Sequence, residues 1–122
     1  MNRLYALRGA VCCENTEEDI RGRVALLYDS LLEKNRLTGE NIVSIIFSQT
    51  GDLDALNPAA ALRQTGRAKD LALFAVQEAE TEGSLPRVIR TLVHCYLQEG
   101  ATPRHVYQNG AEVLRPDREN EG

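Results

Sequence analysis

Val88-Ile89-Arg90-Thr91-Leu92-Val93-His94-Cys95-Tyr96-Leu97 alternates with the period of a β-strand. Ile89, Val93, Cys95 and Leu97 fall on one side, and Val88, Arg90, Leu92, His94 and Tyr96 on the other. The stretch predicts a long central strand with one apolar face and one face that carries an arginine. Upstream, Ile42 to Ser48 (IVSIIFS) is β-branched and Leu71 to Gln77 is apolar throughout, ending at Glu78, so both read as strands. Arg3 to Ala10 (RLYALRGA) reads as a short strand ending at Gly9. Downstream, Thr102-Pro103 breaks the chain. His105 to Gln108 and Ala111 to Leu114 then flank Asn109-Gly110, the strongest short-range signal for a hairpin.

Helices fill the intervals. Asn15-Thr16-Glu17-Glu18-Asp19 offers a cap and then acids where the helix dipole favours them. Ile20, Val24, Leu27 and Leu31 place one apolar stripe along a helix reaching about Asn35, which has to outweigh the cost of Gly22. Asn57-Pro58 is a cap followed by proline at the first helical position, and it starts a short helix stopped near Gly66. Leu37 to Asn41 and Gly83 to Pro86 are turns. The sum is α+β: a five-stranded mixed sheet packed on one long helix with short helical turns, in one domain over residues 1–122 whose charged tail from Pro116 onward frays. One helix covers only one face of such a sheet. The strands at 42–47 and 71–76 are apolar on both faces, so a second cover is expected, most simply another copy of the chain.

Composition excludes several classes. A length of 122 residues suits one core, and a net charge of −4 argues against a nucleic-acid binder held by a diffuse basic surface. The longest interior apolar run, Leu71 to Val76, is far short of the ~20 residues of a membrane span. The start lacks a basic segment followed by an apolar one, which makes the cytoplasm the default. Cys12, Cys13, Cys95, His94 and His105 show no metal-ligand spacing, and the cysteines read as small hydrophobes. Arginine occurs 12 times and lysine only at Lys34 and Lys69, most simply a lineage bias.

Charged groups in apolar settings are the informative ones. Arg90 stays ionised even when buried, so it must pair or wait for an anion. Glu78 closes one strand and Arg8 lies near the end of another. Strand ends presenting charges beside an apolar floor are a common way to build a small-ligand pocket. An internal Glu78–Arg90 ion pair with a purely structural purpose is the plainer alternative, and pattern alone leans toward it. Ser48 has no G-x-S-x-G setting, neither histidine sits beside a candidate nucleophile, and Gly51 and Gly66 are isolated rather than part of a phosphate loop.

Leu7-Arg8-Gly9-Ala10, Thr16-Glu17-Glu18, Asp52-Leu53, Pro58-Ala59 and Arg63 follow one another in the order of a known family. So do Gln77-Glu78, Gly83-Ser84-Leu85-Pro86-Arg87-Val88-Ile89-Arg90, Arg104-His105-Val106-Tyr107 and Leu114-Arg115-Pro116-Asp117. Over nearly its whole length the chain resembles the small monofunctional bacterial chorismate mutases of the trimeric mixed α/β class. The resemblance implies a homotrimer forming a pseudo α/β barrel, with three sites at subunit clefts. It implies rearrangement of chorismate to prephenate, feeding phenylalanine and tyrosine synthesis, with no cofactor and no metal. By position, Arg90 is then the cation beside the breaking ether bond, Arg8 and Tyr107 hold a substrate carboxylate, and Glu78 accepts from the substrate hydroxyl while orienting Arg90. Backbone and side chains of Phe74, Ala75, Val76 and Gln77 form the pocket wall. Arg63 and the segment Asn57, Ala59 and Ala60 approach from the neighbouring subunit, and Arg115 closes the rim. Three positions depart from the family pattern: Asn57 where Phe is frequent, Ala60 where Lys occurs, and Ala75 where Cys can donate to the substrate. The alternative function is a non-catalytic trimeric module that binds small carboxylates or regulates a partner. An enamine/imine deaminase of similar fold fits the start and end motifs less well.

Overall fold

The first helix, α1 (Glu17–Lys34), begins where Thr16 Oγ1 accepts the Asp19 N–H at 3.1 Å, with three acids in the first turn. Its predicted stripe of Ile20, Val24, Leu27 and Leu31 is buried. At about 1.5–3 kcal/mol for each such side chain, that burial exceeds the ~1 kcal/mol cost of the exposed Gly22. Asn35 ends the helix and ties it to a distant segment. Its side-chain amide donates to Leu31 O (2.8 Å) and Arg104 O (3.0 Å) and accepts the Arg104 N–H (2.8 Å). The structure, a computed structural model, describes residues 1–115, so the tail expected from Pro116 lies outside the described residues.

Five strands make one mixed sheet: β1 (Asn2–Cys12), β2 (Ile42–Gln49), β3 (Ala72–Gln77), β4 (Val88–Gln98) and β5 (Val106–Gln108), in spatial order β3-β2-β4-β1-β5. β4 runs antiparallel to both β1 and β2, while β3 and β5 add as parallel edges. The long predicted strand is thus central, and its alternation is as read: Ile89, Thr91, Val93, Cys95 and Leu97 are buried under the helices. The second helix, α2 (Pro58–Gln64), is capped by Asn57 Oδ1, which accepts the Ala59 and Ala60 N–H groups at 2.8 and 3.2 Å. It buries Ala59, Ala61 and Leu62 in the same core as α1, Leu7, Val11, Ile45, Phe47 and Ile89. Among the described residues, no helix is long and apolar enough to cross a membrane.

Two local expectations are corrected. Gly9 does not end the first strand, because β1 continues to Cys12, paired with β4 over its whole length. The glycine serves a close approach instead: a Cβ there would lie 3.0 Å from Thr91 Cγ2 and 3.2 Å from the Leu27 and Leu31 Cδ1 atoms, where α1 crosses the sheet. The hairpin does not form either. Asn109 and Gly110 do adopt positive φ (50° and 98°), but residues Ala111–Leu114 then form a 3-10 turn rather than a return strand. Ala111 is fully buried against Ala10 and Val88, and β5 finds its ladder on β1. Burial of Ala111 and Leu114 outweighs the local pairing preference.

Among the described residues, neither α1 nor α2 packs on the second face of the sheet, which carries the Ala111–Leu114 turn at one corner. Phe74 (64% exposed), Val76 (42%), Tyr96 (45%), Leu4 and Ile46 all stand open there, which is the uncovered apolar face inferred from the double-sided strands.

Candidate active site

Register places Arg8, Arg90 and Tyr107 on that open face. At one level across the sheet lie Tyr107 (β5), Ala10 (β1), Arg90 (β4), Ser48 (β2) and Val76 (β3). The next level holds Arg8, Leu92, Ile46 and Phe74. Arg8 and Arg90 are therefore diagonal neighbours on adjacent strands, about 7–8 Å apart in such a ladder. Ala10 stands between Tyr107 and Arg90 and is buried beneath Ala111.

Glu78 follows β3, where its N–H donates to Gln49 O at 2.7 Å and extends the parallel ladder by one residue. Its carboxylate turns to the open face. Arg90 Nε lies 3.0 Å from Glu78 Oε1, and Ser48 Oγ donates to the same oxygen at 3.2 Å. The ion pair expected from sequence exists, yet it does not consume the guanidinium. Among the described residues, the terminal nitrogens of Arg90 donate no hydrogen bond, and its side chain stays 45% exposed. Arg8 likewise has no ion pair among the described residues, while its backbone N–H donates to His105 Nδ1 at 2.9 Å. The two arginines thus lie on one face of the sheet, on the two strands between β5, which carries Tyr107, and β2 and β3, which carry Ser48, Phe74 and Val76.

The start of β4 is clamped, which fixes where Arg90 emerges. The Asp52 carboxylate accepts the Arg87 N–H at 3.1 and 3.2 Å, Thr50 Oγ1 accepts the Val88 N–H at 3.0 Å, and Thr50 N–H donates to Val88 O at 3.1 Å. Arg87 is held at φ 52° in the process. Thr50, Asp52, Ser48 and His105 were not singled out as site residues from the sequence. Ser44 and Ser48, spaced by four in an otherwise apolar strand and on the face of Arg90, were the signal available for Ser48.

The remaining predicted residues divide by face. Alternation along β3 puts the side chains of Phe74 and Val76 on the side of Arg90, and those of Ala75 and Gln77 on the other. Ala75 packs against the main core. Arg63 sits on α2, on the opposite side of the sheet from Arg90, and Arg63 Nη2 reaches Leu71 O at 3.4 Å. Asn57 is occupied as a cap and Ala59 is buried, which leaves Ala60 and Arg63 as the accessible groups of that segment. Arg115 follows the 3-10 turn whose Ala111 and Leu114 pack on Ala10, Val88 and Tyr107, so it belongs to the open-face side. A cleft of about 420 Å³ lies between residues 50–52 and 77–86 and touches Glu78, but not Arg8, Arg90 or Tyr107. Burial raises the thiol pKa values at Cys12, Cys13 and Cys95, with Cys13 pushed up to about 12.

Two arginines on one face of a sheet, one of them beside a carboxylate, are an arrangement suited to a small anion. Comparison with known proteins gives this arrangement a family. The chorismate mutase type I profile matches residues 4–118. The chain is 33% identical over 116 residues to chorismate mutase AroH of Bacillus subtilis, spanning 93% of this chain and 91% of that protein. It is 39% identical over 120 residues to chorismate mutase AroH of Thermus thermophilus, spanning 93% and 95%. A solved chorismate mutase from Clostridium thermocellum superposes with a TM-score of 0.82 at 38% identity, covering 90% of this chain and 99% of its own. The chain belongs to the chorismate mutase type I family, and so to a family of isomerases.

Proposed function

We propose that this protein rearranges chorismate to prephenate on the open face of its sheet, in the route to phenylalanine and tyrosine. The reaction breaks an ether C–O bond as a C–C bond forms within one molecule. No proton transfer or covalent intermediate is needed, and no cofactor or metal. The protein has two tasks: to hold a flexible dianion in its compact reactive shape, and to meet the negative charge growing on the ether oxygen. Arg90 performs the second with its outward terminal nitrogens. Arg8 and Tyr107 take a carboxylate, and Glu78 accepts from the ring hydroxyl. The observation that carries the reading is the Arg90 Nε–Glu78 Oε1 contact of 3.0 Å, which orients a cation without neutralising its far edge.

One protomer offers an open surface, whereas small-ligand sites bury most of their ligand. We assign the cover to further copies of the chain, in a homotrimer whose open apolar faces meet in a pseudo α/β barrel. Arg63 and Ala60, on the far side of the sheet from Arg90, can join its site only across such a boundary. Arg115 closes the rim, and the cytoplasm is the assigned location. The test is loss of chorismate absorbance with purified protein. Turnover supports the reading. A folded oligomer that binds chorismate without consuming it would instead be the non-catalytic carboxylate-binding module.

A further inference from the structure

Glu78 is asked to do two things at once: to engage Arg90 and to keep an oxygen available for a ligand hydroxyl. A carboxylate beside an arginine ordinarily settles into a two-pronged fork over two guanidinium nitrogens. Here the closest approach is Arg90 Nε to Oε1 at 3.0 Å, and Ser48 Oγ donates to that same oxygen at 3.2 Å, while among the described residues Oε2 accepts no hydrogen bond. Ser48 sits between Arg90 and Val76 in the sheet, so its hydroxyl rises from the floor beneath the carboxylate. An ionised carboxylate only accepts, so Ser48 is the donor.

We infer that Ser48 is a positioning residue of this site: by pinning Oε1 it keeps Oε2 turned outward and confines Arg90 to a contact through Nε. Without the hydroxyl, the carboxylate is free to rotate onto a terminal nitrogen of Arg90 and offset the charge at the place where the reaction needs it. The inference deepens the proposed rearrangement and rests on it.

Steady-state rates of chorismate loss are compared for wild type, Ser48→Ala, Ser48→Thr, Glu78→Ala and the Ser48→Ala/Glu78→Ala pair, each as the assembled protein. Loss of a hydrogen bond to a charged group corresponds to about tenfold or more, so kcat of Ser48→Ala is expected to fall by about tenfold. KM is expected to stay within about threefold, because orientation rather than uniform binding is lost. Ser48→Thr, which keeps a hydroxyl, recovers most of kcat. In the Glu78→Ala background, Ser48→Ala causes no further loss. Wild-type kcat in Ser48→Ala, or an equal loss in both backgrounds, overturns the inference while leaving the reaction assigned. A folded wild type without turnover overturns the reaction and the inference together.

Discussion

Arg90 approaches Glu78 most closely through Nε, the inner nitrogen of its guanidinium, at 3.0 Å, rather than through a terminal nitrogen. The difference decides what the pair can do. A terminal fork would leave a neutral unit suited to structure. Contact at Nε sets the plane of the group and leaves its outer edge for a ligand. The two residues come from different strands, β4 and the end of β3, and β2 between them contributes Ser48. Three neighbouring strands therefore hold one cation.

Tyr96→Glu tests the cover assigned to the open face. Tyr96 is 45% exposed in a protomer, so a charge there leaves the fold intact while opposing burial between copies. Sedimentation should show a trimer for wild type and a monomer for the variant, and turnover should fall with assembly. A stable, active wild-type monomer would contradict the assignment.

Arg63→Ala and Arg90→Ala test the shared site. If α2 of one copy faces Arg90 of the next, each variant alone loses turnover, and co-refolded mixtures regain a measurable fraction through mixed assemblies with an intact site. Mixtures no more active than their components would place both arginines in separate roles.

Gly9→Ala tests the helix-to-sheet contact. The added methyl meets Thr91, Leu27 and Leu31 at 3.0–3.2 Å, so overpacking should cost about 1–3 kcal/mol in urea or thermal unfolding. An unchanged unfolding midpoint would show that α1 can move away at little cost.

Cys13 predicts the alkaline limit of stability. Its folded pKa is raised from 9.0 to about 12 by burial, then by Asp19. Above the unfolded value the unfolded chain therefore holds fewer protons than the folded one. Stability falls as pH rises through this window and is fully retained below it. Cys13→Ala should flatten the fall between pH 9 and pH 11, read from unfolding midpoints. A slope identical to wild type would contradict it.

Much of this architecture was legible because its signals were local and repeated. The alternation of Val88 to Leu97 named both faces of the central strand, and the stripe from Ile20 to Leu31 named the helix that covers one of them. What escaped depended on partners remote in sequence. Asn109-Gly110 has the turn conformation its residues favour, yet its outcome was decided by the apolar seat that Ala10 and Val88 offer Ala111. Gly9 read as a stop because glycine at a strand end is common, whereas its cause is the passage of α1 overhead. At the site, Arg8, Glu78 and Arg90 were visible as charges in apolar settings. Ser48 was not, because a lone hydroxyl acquires meaning only once strand register sets it beneath Glu78.

Replacing Arg90 by citrulline removes the charge while keeping the shape and the Nε that lies against Glu78. It therefore isolates stabilisation of the ether oxygen from positioning. The expected result is a barrier higher by about 3–4 kcal/mol, a fall of roughly two to three orders of magnitude in kcat, with chorismate affinity little changed. Equal losses in turnover and in binding would contradict the account, since the cation would then serve only to hold the substrate.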